Sequence, residues 1–127
     1  MTKWLLIAAG GALGSVLRYA VQGWVQRATN ADFPAGTLAV NIIGCLLIGF
    51  LTALFTGPVL LREEYRIGLT VGILGGFTTF STFGLETFSL ASDRQYWLAA
   101  LNVILSCGLG FLAVWVGYRA AEYLYGI

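Results

Sequence analysis

Residues 75–86 read Gly75-Gly76-Phe77-Thr78-Thr79-Phe80-Ser81-Thr82-Phe83-Gly84-Leu85-Glu86, and all but the last close a run from Ile67 to Leu85 that carries no charge. A membrane crossing needs about 20 apolar residues, and this run has the length. Its centre, however, is a poor helix interior. Glycine costs about 1 kcal/mol relative to alanine, and β-branched threonine loses rotamer freedom. A break or distortion is therefore expected near Gly75 to Thr79. At membrane depth, irregular backbone survives only where protein buries it or where it lines a cavity, and its freed carbonyls suit a small cation. A simple packing kink is the plainer alternative.

Outward from this stretch, charges punctuate the chain. Between Lys3 and Arg27 the only charge is Arg18; Pro34 through Leu61 carry none, and Gln95 through Tyr118 carry none. No run shows the ten-residue alternation of barrel strands. The expectation is an all-α membrane protein, a single transmembrane domain over 1–127 with helices at roughly 4–26, 35–57, 66–90 and 95–121. The start, Met1-Thr2-Lys3 and then apolar Trp4 to Leu17, has the outline of a secretory signal. Arg18-Tyr19 is a poor cleavage context and the remainder is just as apolar, so the segment is read as a retained crossing.

Composition agrees. The chain has 127 residues, 58% of them hydrophobic and 10% charged, with mean hydropathy +0.82; soluble domains carry about 25% charged residues. A net charge of +1 without a basic run gives no footprint for nucleic acid. Histidine is absent, which removes the commonest general base and transition-metal ligand. No span holds paired carboxylates, and no nucleophile elbow is present, so the chain is not read as an enzyme. Cys45 and Cys107 lie far from any CxxC spacing and are read as small packing residues.

Basic residues do not fix an orientation. Lys3, Arg62, Arg66 and Arg119 fall on one side, against Arg27 and Arg94, with Arg18 near the end of helix 1. So weak a bias opens the way to insertion both ways up and to an antiparallel homodimer. Small residues four apart recur, among them Gly10 with Gly14, Gly68 with Gly72, and Gly72 with Gly76. In lipid these let helices approach closely, either within one chain or between copies.

At about 100° per residue, Phe77, Phe80 and Phe83 share one face, and Thr79, Thr82 and Glu86 the adjoining one. The phenyl stripe is either apolar filler or a set of electropositive ring edges for an anion. Asn41, deep in helix 2, either glues two helices or lines a pathway. Asn102 and Ser106 on helix 4 pose the same question. Arg18 and Glu86 are the ionisable residues placed deepest in their spans, hence functional candidates. Both are also close enough to helix ends to snorkel.

Three motifs carry a family resemblance: Gly11-x-x-Gly14-x-x-x-Arg18-Tyr19, Gly36-Thr37-Leu38-x-Val40-Asn41-x-x-Gly44, and Gly75-Gly76-Phe77-Thr78-Thr79-Phe80-Ser81-Thr82-Phe83. Over essentially its whole length the chain is similar to the fluoride channels of the Fluc (CrcB) family, and the third motif is the specific one. The resemblance implies a multi-pass protein of the bacterial cytoplasmic (inner) membrane. Its unit would be an antiparallel, dual-topology homodimer in lipid with two fluoride pores, exporting fluoride passively. By position, Phe80 and Phe83 would be the ring-edge phenylalanines and Asn41 the amide donor. Thr79, Ser81, Thr82 and Glu86 would be polar groups along helix 3, Ser106 the vestibule hydroxyl on helix 4, and Arg18 the helix 1 arginine. Backbone carbonyls of Gly75 and Thr78 from both subunits would hold a structural sodium ion. Where some members of the family have a tyrosine on helix 4, Asn102 would stand here. A small multidrug exporter of similar size would need an acid in helix 1, which has none.

Overall fold

The computed structural model describes residues 1–127, and every regular element is helical. Helix α1 spans Thr2–Thr29 and α2 spans Ala35–Thr56. The third crossing, Glu63–Ser92, is composite. It begins as α3 (Glu63–Ile67), continues as a π-helical segment (Gly68–Leu74) and a short turn α4 (Gly75–Phe77), and resumes as α5 (Phe80–Ser92). Helix α6 covers Tyr96–Tyr125. These four are long and apolar enough to cross a membrane, and short links make sequential crossings antiparallel. The helices outrun the uncharged runs because Lys3, Arg27, Glu63 and Glu122 continue helically past the apolar stretch. Trp4, Tyr65 and Tyr123 are exposed at one end, and Trp24, Tyr96 and Trp97 at the other, the belts that amphipathic rings form at membrane surfaces.

The turn between α1 and α2 is organised by one side chain. Asn30 ends α1 in the left-handed conformation, φ 44°, with its N–H on Gln26 O, which asparagine tolerates better than most residues. Gln26 Nε2 then donates to Ala31 O and Phe33 O, at 2.9 and 3.0 Å, while Gln26 Oε1 accepts from Gly36 N at 3.0 Å. Helix α2 follows Pro34 and has no cap of its own. Gln26 supplies from α1 the acceptor that an N-cap residue would otherwise provide.

Helices α2 and α6 make the most extensive contact in the molecule. Their backbones touch at Gly49, where a Cβ would strike Val114 O, and at Gly117, where it would strike Leu46 O. Helix α1 packs the same way on the π-helical segment and α4. A Cβ on Gly10 would stand 2.7 Å from Gly68 O, and one on Gly76 would stand 2.7 Å from Gly11 O. The small-residue spacings of α1 and the third crossing therefore serve packing within the chain, the approach that lipid favours where no hydrophobic drive exists.

The third crossing changes partners partway. Its first half, through α4, packs on α1; its second half, α5, packs on α6. The change falls at Thr78 and Thr79, which belong to neither helix.

Candidate functional site at the interrupted third crossing

Thr78 (φ −92°, ψ 158°) and Thr79 (φ −150°, ψ 116°) are extended. The glycine pair, by contrast, stays helical, with Gly75 at φ −61°, ψ −37°. The residues that leave helical geometry at the break are thus the two threonines, and of the glycine pair Gly76 serves the close approach to α1 instead. What stabilises the extended pair is Asn41. Its Nδ2 donates to Thr79 O at 2.9 Å, and its Oδ1 accepts from Thr79 N at 2.8 Å. Gly44, one turn further along α2, makes room for the Thr78 methyl, which a Cβ there would strike. Asn41 therefore fastens α2 to the irregular backbone. An amide carries two N–H donors, and the second has no protein acceptor.

Gly75 O and Thr78 O are among the carbonyls that the break leaves without their helical donors. The Thr79 N–H, which would bond Gly75 O in an uninterrupted helix, goes to Asn41 Oδ1. The Thr82 N–H, which would bond Thr78 O, goes at 3.2 Å to Thr79 Oγ1, the cap of α5. Gly75 O and Thr78 O are hard oxygen donors with capacity to spare, the type that unwound membrane helices offer to alkali cations. The residues present fit such an ion. No cluster of His, Cys, Asp or Glu offers a different metal site.

Beyond the interruption, Phe80 and Phe83 lie on α5 with ring centroids 5.5 Å apart, inclined at 47°. Phe80 is 83% exposed. Phe77 does not join them. It belongs to α4, is 7% exposed, and is turned into the protein, since a helical wheel cannot be carried across two extended residues. Thr79 Oγ1 donates to Thr82 Oγ1 at 3.0 Å and lies 3.5 Å from Ser81 Oγ.

A groove of about 430 Å³ runs along this region, lined by Asn41, Thr78, Thr79, Phe80, Phe83 and Ser106, with Gly75 at its wall. Seven residues chosen from sequence thus converge from three crossings. Ser81 and Thr82 join only through the Thr79 hydroxyl. Cys45 and Cys107, read as packing residues, also line the groove.

Glu86 and Arg18 lie elsewhere. Glu86 lines a second, polar cavity of about 690 Å³ with Gln22, Gln26, Arg27 and Asp32. Its Oε1 accepts from Thr37 Oγ1 at 2.7 Å, and Thr37 in turn accepts from Gln22 Nε2 at 2.7 Å. Glu86 Oε2 is buried without a protein partner. Arg18 lines neither cavity, is half-buried on α1 and makes no ion pair.

Gln22, Gln26, Thr37 and Thr87, which accepts from Asn102 Nδ2 at 2.9 Å, have no role in the reading of the sequence. The signal was present for three of them. Arg18, Gln22 and Gln26 recur every fourth residue on α1, and Thr37 precedes Asn41 by four on α2, so each set shares a helix face.

A sequence profile of the family described as "CrcB-like protein, Camphor Resistance (CrcB)" matches residues 5–118. The chain is 48% identical to a protein of Geobacter sulfurreducens named "Fluoride-specific ion channel FluC", over 98% of this chain and 100% of that one. It is 45% identical to proteins of the same name from Geobacter metallireducens, over 93% of this chain and 95% of that one, and from Rhodospirillum rubrum, over 93% of each. A match that spans all four crossings, the interrupted one included, makes this chain a member of the CrcB-like family.

Proposed function

We propose that the protein is a fluoride-selective channel that lets the ion leave the cell down its own gradient. It is a multi-pass protein of the bacterial inner membrane and belongs to a family of ion channels, not enzymes. One observation carries the reading for this chain: ring edges, an amide and hydroxyls from three crossings converge on one groove beside an interrupted helix.

Each group has a role that its chemistry suits. Fluoride is small and strongly hydrated, so a pathway must replace its water with donors held in place. Phe80 and Phe83 offer electropositive ring edges, which attract an anion without a full charge. Asn41 has a spare N–H, the Ser81, Thr82 and Ser106 hydroxyls offer further donors, and Thr79, whose own proton goes to Thr82, orients that hydroxyl. Such donors are numerous enough for entry and individually weak enough for release. Glu86, tied to Thr37, stands at the wider cavity beyond the groove, and Arg18 contributes positive charge from α1.

The groove is open along one side, and Phe80, part of its lining, is largely exposed in the single chain. Four helices are too few to wrap a polar pathway, so a second, inverted copy closes it, giving an antiparallel homodimer with two pores. The carbonyls of Gly75 and Thr78 from both copies would hold sodium at the centre. When bound, that ion supplies a fixed positive charge between the interrupted helices.

Hydrogen fluoride crosses membranes neutral and ionises inside, where a leak selective for the anion lets it out again. The test is fluoride efflux from liposomes holding the purified protein, with a potassium ionophore and a parallel chloride trace. Fluoride release with chloride retained is expected. Absence of fluoride release from an assembled dimer overturns the reading.

A further inference from the structure

Ser106 lines the groove, and its hydroxyl also has an acceptor outside it. Ser106 Oγ donates to Asn102 Oδ1 at 3.5 Å. Asn102 itself is 1% exposed and lines neither cavity. Its other end donates from Nδ2 to Thr87 Oγ1 at 2.9 Å, and Thr87 Oγ1 donates to Phe83 O at 2.8 Å.

The chain of donors has one direction. Thr87 has a single O–H, and Phe83 O takes it, so toward Asn102 the Thr87 oxygen can only accept. That fixes Nδ2 toward Thr87 and leaves Oδ1, an acceptor only, facing Ser106. Between these two atoms Ser106 can therefore only be the donor, and while that 3.5 Å contact is made what faces the groove is lone pair. An anion needs the proton.

We propose that Asn102 is a positioning residue that competes with the permeating anion for the Ser106 proton. The hold is a long hydrogen bond, at the outer limit of useful geometry, so it yields when an anion arrives and re-forms when the anion leaves. Asn102 thereby weakens the grip of the groove and keeps the ion from resting there. Thr87 sets the direction by orienting the amide. The inference rests on the channel reading, with Ser106 in the pathway.

The experiment measures initial fluoride efflux from liposomes against internal fluoride concentration, for the wild type, Asn102→Val, Thr87→Val, Ser106→Ala and the two doubles with Ser106→Ala. Asn102→Val frees the Ser106 proton and should lower the half-saturating fluoride concentration about two- to threefold, the low end of what one hydrogen bond is worth. Thr87→Val keeps shape and unlocks the amide, and should shift it the same way by less; it also serves if Asn102→Val does not assemble. Neither substitution should move half-saturation once Ser106 is alanine. A merely structural role would persist in that background. Unchanged or raised half-saturation in the single variants, or the same shift with Ser106→Ala present, overturns the inference alone. A wild type that releases no fluoride overturns the channel reading and takes this inference with it.

Discussion

Asn41 and Thr79 exchange two hydrogen bonds, 2.9 and 2.8 Å long, through one side-chain amide. A residue of α2 thus satisfies both backbone groups of a residue at which the third crossing leaves helical geometry. In lipid no water would do so, and the extended conformation at Thr79 depends on the amide.

Asn41→Leu should therefore destabilise as well as block. It orphans the Thr79 N–H and C=O together, at about 1–3 kcal/mol for each buried group. The expected outcome is a lower unfolding temperature in detergent and loss of efflux. Asn41→Asp keeps the acceptor for Thr79 N–H but sets a negative charge against the anion, so assembly should survive better than flux.

Phe80 and Phe83 separate function from folding. Phe80 is 83% exposed in the protomer, so Phe80→Ile should change protomer stability by no more than about 0.5 kcal/mol. Phe83→Ile exchanges one half-buried apolar side chain for another. Both should cut fluoride efflux at least tenfold while size-exclusion profiles stay those of the unsubstituted protein. Full efflux in both would end the ring-edge account.

Gly10 and Gly11 are adjacent yet should answer differently to alanine. A Cβ at Gly10 meets Gly68 O at 2.7 Å and the Gly72 backbone at 3.2 Å, whereas at Gly11 it meets nothing within 4 Å. Gly10→Ala should cost about 1–3 kcal/mol by overpacking against backbone that cannot yield. Gly11→Ala should hold or slightly raise protomer helix stability. Thermal unfolding followed by circular dichroism distinguishes them.

Gly75→Ala tests the cation assignment. Within the protomer the new Cβ meets only Thr70 O, at 3.8 Å, so internal packing is spared. If the proposed dimer is held by sodium, its assembly should be favoured by sodium over N-methylglucamine in the unsubstituted protein, and Gly75→Ala should weaken assembly and remove that difference, read from the monomer–dimer distribution. Unaltered sodium dependence would count against Gly75 O as a ligand.

Legibility in the sequence followed the range of the interaction. The four crossings were legible because charge excludes itself from hydrocarbon, and charged residues bracket each run. Phe80 and Phe83 were legible because they lie on one uninterrupted helix. The irregular backbone was expected from Gly75 onward, on propensities that treat glycine as a helix weakener; in this chain Gly76 is a contact residue and stays helical. The π-helical segment left no mark in Gly68-Leu69-Thr70-Val71-Gly72-Ile73-Leu74. Asn41 could be recognised as costly to leave unpaired, but its partner, Thr79, lies 38 residues away. The links from Gln22 to Thr37 and from Asn102 to Thr87 are also tertiary, and periodicity within a helix does not report them.

The interruption at Thr78 and Thr79 also sets two helix ends back to back in a medium of low dielectric. Aligned peptide dipoles give a helix about half a positive charge at its amino end and half a negative charge at its carboxyl end. The half-crossing that ends at Phe77 turns its negative end toward the freed carbonyls, and α5 turns its positive end, at Phe80, toward the groove. Water would quench both poles; hydrocarbon does not. Two extended residues thus present opposite polarities a few ångströms apart, one suited to a cation and one to an anion, without a single ionised side chain between them.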